Sequence, residues 1–147
     1  MAMQRTPLLM SNILDRGAQV APNEEIVTAT ESGVRRQTYK QTRDRAHQLA
    51  HALAAAGIQV GDRVGTFMWN GSRHLEAYHA CAGMGAVLHT LNIRLGEKDL
   101  EYIINHAEDQ VIIADADILP LLEKMVLLFI IKLTTHLIKK LIEMVYI

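Results

Sequence analysis

From Val60 to Met125 the sequence alternates between short apolar runs and longer amphipathic stretches, and this alternation restricts the fold more than anything else in the chain. "VGTFMW" (64–69), "AVLHTL" (86–91) and "QVIIAD" (110–115) are too short for stable helices and rich enough in β-formers to be strands. Between and after them lie "SRHLEAYHACAG" (72–83), "EKDLEYIINHAE" (97–108) and "DILPLLEKM" (117–125), each with helical spacing. Ser72 is the expected N-cap of the first. Strands joined by crossovers of this length pair in parallel and in right-handed βαβ units. The expected fold class is therefore α/β, a partial parallel sheet with flanking helices. A sheet of about three strands would leave an edge and some apolar surface uncovered.

Upstream, "LLMSNILDRGAQVAP" carries Leu9, Ile13, Leu14 and Ala18 near helical spacing and stops at Pro22. "EEIVTATESGVRRQT" predicts two strands around a Glu31-Ser32-Gly33 turn. A helix is predicted from Tyr39 to Ala56, capped by Thr38, striped by Ala46, Leu49, Ala50 and Leu53, and stopped by Gly57. The 147 residues amount to one domain, yet composition breaks at Met125. Residues 1–124 carry 12 Lys and Arg against 15 Asp and Glu, whereas 125–147 carry three Lys and one Glu and no Ala or Arg. The chain thus divides into a body, 1–124, and a divergent tail, 125–147. The longest apolar run of the tail, Met125–Ile131, falls far short of the roughly 20 residues of a spanning helix. A C-terminal amphipathic helix is expected instead, with Lys132, His136, Lys139, Lys140 and Glu143 on one face, suited to a membrane surface or a protein partner. A change of reading frame or a fusion junction would produce the same break. The N-terminus lacks an apolar leader and a cleavage site, which points to the cytoplasm.

Few residues suggest chemistry on their own. A net charge of −1 and the lack of a basic stripe argue against nucleic acid as a partner. The single cysteine, Cys81, excludes an internal disulfide and sits among small helical residues, where an inert buried thiol is expected. His47 and His51 have the i, i+4 spacing of a metal pair, but the glutamate of an HExxH motif is missing and solvated histidines are expected. His74 and His79 do not share a helical face, His89 lies in a strand, and His106 suits a helix C-terminus. "AGMGAV" places Gly83 and Gly85 after a helix and before a strand, the reverse of a dinucleotide fingerprint, so they are expected to end the helix and permit tight packing. No Walker A pattern occurs. Glu97, Asp99 and Glu101 are expected on a solvated face, and Asp115 and Asp117 at a strand end. These residues describe a cytosolic α/β module with no complete active site: no catalytic, cofactor-binding or metal residue is assigned.

One ordered set of motifs does point to a family. "GDRV" (61–64), "WN" (69–70), "RHLEAY" (73–78), "GMGAVLHTLNIRL" (83–95) and "YIINHAED" (102–109) follow "NILDRGAQVAPNEEIV" and "TYKQTRDRAHQLAHALAAAGI". Together, over about residues 7–124, they resemble the N-terminal region of an acyl-CoA synthetase of the adenylate-forming (AMP-binding) family. The similarity is to medium- and long-chain fatty-acyl-CoA ligases and their methylthiopropionate-activating relatives. "LNIRL" departs from it at Ile93, where many relatives have proline. The resemblance implies a ligase that adenylates a carboxylate with ATP and Mg²⁺ and then forms a thioester with CoA. The family's phosphate-cradling loop, adenylate motif, ribose-binding Asp and mobile-domain Lys have no counterpart in this sequence. The expectation is a truncated fatty-acyl-CoA ligase, inactive alone, with ATP, Mg²⁺, CoA and a fatty acid as ligands of full-length relatives only. The alternative is a non-catalytic binding or regulatory module that meets a ligase or a membrane through its tail. Asn92 and Arg94, after the second strand, are expected to fix their loop rather than to touch substrate, and Trp69 and Asn70 occupy the equivalent place after the first.

Overall fold

A computed structural model describes residue 7 and residues 9–126 of the chain. The elements run α1 (Met10–Val20), β1 (Glu25–Thr30), β2 (Gly33–Thr38), α2 (Tyr39–Ala55), β3 (Arg63–Phe67), α3 (Ser72–Met84), β4 (Val87–Thr90), α4 (Glu97–Ala107), β5 (Val111–Ala114) and α5 (Leu119–Val126). The amphipathic helix expected over 125–147 lies, beyond Val126, outside the described residues.

Local chemistry accounts for most boundaries. β1 and β2 form an antiparallel hairpin in register from Glu25↔Thr38 to Thr30↔Gly33. Gly33, at φ +130°, takes a conformation that a side chain would resist. Thr38 ends the hairpin and starts α2 in the same step: its hydroxyl accepts the Gln41 N–H while the Gln41 carboxamide accepts the Thr38 N–H, a capping box. Gly57, at φ +96°, closes that helix.

β3 is the centre of a three-stranded parallel sheet of order β4-β3-β5. The chain moves from β3 to β4 through α3, then returns past β3 to β5 through α4. The two crossover helices cover opposite faces, so the core is split in two by the sheet. Val64 and Val111 point to the α2/α3 side, among Leu49, Leu53, Ala77 and Cys81. Phe67 and Ile112 point to the α4/α5 side, among Leu91, Leu100, Ile104 and Leu122. The period of two along β3 and β5 thus serves both layers at once, which explains why these strands read as continuous apolar runs. β4 is an outer strand, and Val87 on it remains 49% exposed, the uncovered edge that the strand count implied.

The sequence misplaced two features. Ser72 does not cap α3: the N-cap is Gly71, and the Ser72 N–H is instead satisfied by the hydroxyl of Thr28 on β1, at 3.1 Å. A Cβ on Gly71 would come within 3.0 Å of the Thr28 methyl, so the glycine allows the hairpin to supply the cap from outside the helix. Gly85 ends α3 at φ +80°, but Gly83 lies inside the helix and faces open space, so tight packing does not require it.

Candidate functional site

In open parallel sheets ligands lie beyond the carboxyl ends of the strands, where neighbouring strands send their connections in opposite directions. Here that point falls between β3 and β5, because β3 leads into α3 on one face and β5 into α5 on the other. Its rim is built by the residues that follow each strand. The backbone N–H of Trp69 donates to Asp115 Oδ2 at 2.8 Å, and its indole Nε1 donates to Asp117 Oδ2 at 2.8 Å. Two carboxylates from the loop after β5 therefore orient the tryptophan after β3, which stays 48% exposed at the crevice. Below it, Thr66 Oγ1 lies 3.0 Å from Nε2 of His74, both buried. Burial holds the His74 imidazole below its ordinary pKa, opposed by the charge of Asp115 and by the Trp69 backbone. It is a neutral, structural imidazole near pH 7. After β4, Asn92 Oδ1 accepts the N–H of Arg94 at 3.0 Å, the loop-fixing role expected of it.

Elsewhere the fold brings together residues that no local pattern links. The side chain of Asp109, just after α4, has no exposed surface and meets His89 of β4, with Nδ1 2.8 Å from Oδ2. The pair rests over Gly65: a Cβ there would lie 3.2 Å from Asp109 Oδ2 and 3.0 Å from Ile112 Cγ1. Burial raises the Asp109 pKa, against the pull of His89 and Arg63. Glu76 of α3, 2% exposed, accepts Gln37 Nε2 at 2.7 Å and Arg45 Nε at 2.8 Å. That network fastens the hairpin and α2 to α3. It is not visible in the sequence because its members lie 31 and 39 residues apart.

The i, i+4 histidines occupy a groove of about 380 Å³ between α1, α2 and α3, with Asp15 and His79 also on its wall. His47 Nε2 lies 3.5 Å from Asp15 Oδ1. Among the described residues no group of three or more His, Cys, Asp or Glu side chains is placed to hold a metal ion, so neither the groove nor the crevice is assigned one. Cys81 is buried and its thiol is pushed up to about 11, which leaves it unreactive near neutral pH. No helix among the described residues is long and apolar enough to cross a membrane.

The sequence and fold are similar to those of known proteins. The model of the AMP-binding enzyme family matches residues 14–141, and so runs past the break at Met125. A long-chain-fatty-acid–CoA ligase of Thermus thermophilus is 47% identical over 122 residues, 82% of this chain and 23% of that protein. A 3-methylmercaptopropionyl-CoA ligase of Ruegeria lacuscaerulensis is 43% identical over 120 residues, 81% of this chain and 22% of that one. The chain therefore spans less than a quarter of the length of these two relatives. Among solved structures, a fatty acyl CoA synthetase of Mycobacterium tuberculosis superposes with a TM-score of 0.71 at 28% identity, over 79% of this chain and 23% of its own. The N-terminal domain of FACL13 from the same organism does so with a TM-score of 0.74 at 27% identity, over 80% of this chain and 30% of its own.

Proposed function

Because the chain belongs to the AMP-binding enzyme family, we propose that it supplies the N-terminal frame of a fatty-acyl-CoA ligase and that the 147-residue polypeptide turns over no substrate by itself. The observation that carries this reading is the ordered, 47% identical match to a long-chain-fatty-acid–CoA ligase over 82% of the chain. The crevice supports it. Asp115 and Asp117 each accept an N–H of Trp69, and Asn92 accepts the N–H of Arg94 in its own loop. Those contacts shape a wall of the crevice.

ATP, Mg²⁺ and CoA are the ligands that the family resemblance implies. The residues described do not fit the first two. No cluster of carboxylates is placed for a metal, and no Gly-rich loop with a lysine cradles phosphates at the start of a helix. This chain's own contribution is positional: the β3–β5 crevice forms part of a boundary against which a carboxylate substrate is enclosed.

Exchanging segments tests this. A chimera of the Thermus thermophilus ligase in which residues 1–124 of this chain replace the matching segment is expected to form acyl-CoA from long-chain fatty acids within roughly tenfold of the parent rate, since only the frame changes. A chimera that folds and yet forms no acyl-CoA would count against the reading.

A further inference from the structure

The groove between α1, α2 and α3 gathers four ionisable side chains for which the proposed function has no use: Asp15 from α1, His47 and His51 from α2, and His79 from α3. We propose that α1 is an acid-released latch: protonation of His79, beneath the first turns of α1, loosens that helix from α2 and α3 while the rest of the fold stays closed.

Little apolar surface holds α1 in place. Leu14 and Ala18 are its buried residues, whereas Met10, Ile13 and Val20 remain exposed. Its C-terminal end is tied down: Gly17 lies against the Tyr39 ring, and the N–H groups of Lys40 and Tyr39 donate to the carbonyls of Pro22 and Glu24 just beyond the helix. Its first turns rest on the groove instead, where Ser11, Leu14 and Asp15 form one wall. A helix of 11 residues is marginal in water once undocked, so loosening and fraying go together.

The three histidines differ in what a proton costs them. His47 and His51 are exposed, and a charge on either stays solvated. His79 is largely covered, and its Nδ1 is enclosed with no partner in hydrogen-bonding geometry. Burial holds its pKa below the ordinary histidine value, against smaller pulls from the Met10 backbone and the Asp15 charge, both on α1. The Asp15–His47 contact works the other way, since it strengthens when His47 is protonated. Its length is 3.5 Å and its side chains are 39% and 58% exposed, so that gain is small. The groove lining holds no other ionisable side chain among the described residues, and His79 sets the direction. Docking of α1 is at full strength above 6.5 and weakens as pH falls through the lowered value of His79.

Hydrogen exchange of the 147-residue chain at pH 7, 6 and 5, with each amide rate divided by its intrinsic rate, tests this. The opening equilibrium of amides 14–20, relative to the core amides of α2, should rise from pH 7 to 5 by at least roughly threefold. Its ceiling is about thirtyfold, the limit for one proton taken up at the ordinary histidine pKa. His79→Gln, which cannot become charged, should reduce the rise to below about twofold. Asp15→Asn removes a group that opposes release and should keep or enlarge it. A relative rise that is absent or reversed in the wild type, that persists in His79→Gln, or that disappears in Asp15→Asn would each overturn the proposal.

Discussion

On opposite sides of the central sheet the carboxylates of Glu76 and Asp109 are both withdrawn from solvent, and the fold treats them differently. On the α3 side Glu76 is matched by the permanent cation of Arg45 and by the carboxamide of Gln37, in a network that ends at the hairpin. On the α4 side Asp109 is matched at hydrogen-bond distance by His89 alone, whose charge depends on pH, with Arg63 acting through its field. A buried charge with a fixed partner serves as a fastener. One with a titratable partner is held at a net cost, which the raised pKa of Asp109 records. The hairpin is thus locked to the body by electrostatics, whereas β4 is held mainly by its ladder and its apolar neighbours.

The largest effect should come from breaking the fastener. Glu76→Ala leaves Arg45 and Gln37 facing an emptied, buried site and is expected to cost about 3 kcal/mol in denaturant unfolding, the lower end for a broken buried pair because Arg45 is partly exposed. Hydrogen exchange in β1 and β2 should quicken more than in β3. A uniform loss across both sheets would show that the hairpin is not fastened separately. Next comes Gly65→Ala, which drives a methyl into Ile112 and Asp109 and should cost roughly 1–3 kcal/mol by overpacking. A neutral result would mean that the His89–Asp109 pair moves aside freely.

The smallest effect is the pH dependence. Asp109 has a folded pKa above its ordinary 3.8, so the stability it contributes is fully present below 3.8 and is lost as pH rises through the raised value. His74 and His79 have folded values below 6.5, chiefly through burial, and their contribution is present above 6.5 and lost as pH falls through those lowered values. The melting temperature of the wild type should therefore drop, relative to Asp109→Asn, as pH is raised from below 4 to 7. A difference between the two proteins that is constant with pH would remove the burial cost assigned to Asp109.

Much of this architecture is legible in the sequence because it is written in local periodicity. The alternation after Val60, the Thr38 cap and the terminal Gly57 and Gly85 are short-range signals, and the elements sit where they point. Long-range pairings are not written that way. Nothing near Gly71 announces that Thr28 will cap α3, and Ser72 is the more obvious candidate from spacing alone. Likewise Asp115 and Asp117 look like solvated carboxylates until the fold places Trp69 between them and the crevice. His47, His51 and His79 meet in one groove only because α2 packs against α3. The family was legible because its motifs are ordered along the chain, which no single site residue could have shown.

The central claim is that this chain carries the frame of an adenylating ligase without its chemistry. Pyrophosphate release by the purified 147-residue chain, with ATP, Mg²⁺, CoA and fatty acids of several lengths, tests it most directly. The account predicts a rate indistinguishable from the no-protein control. Sustained, fatty-acid-dependent turnover would contradict it.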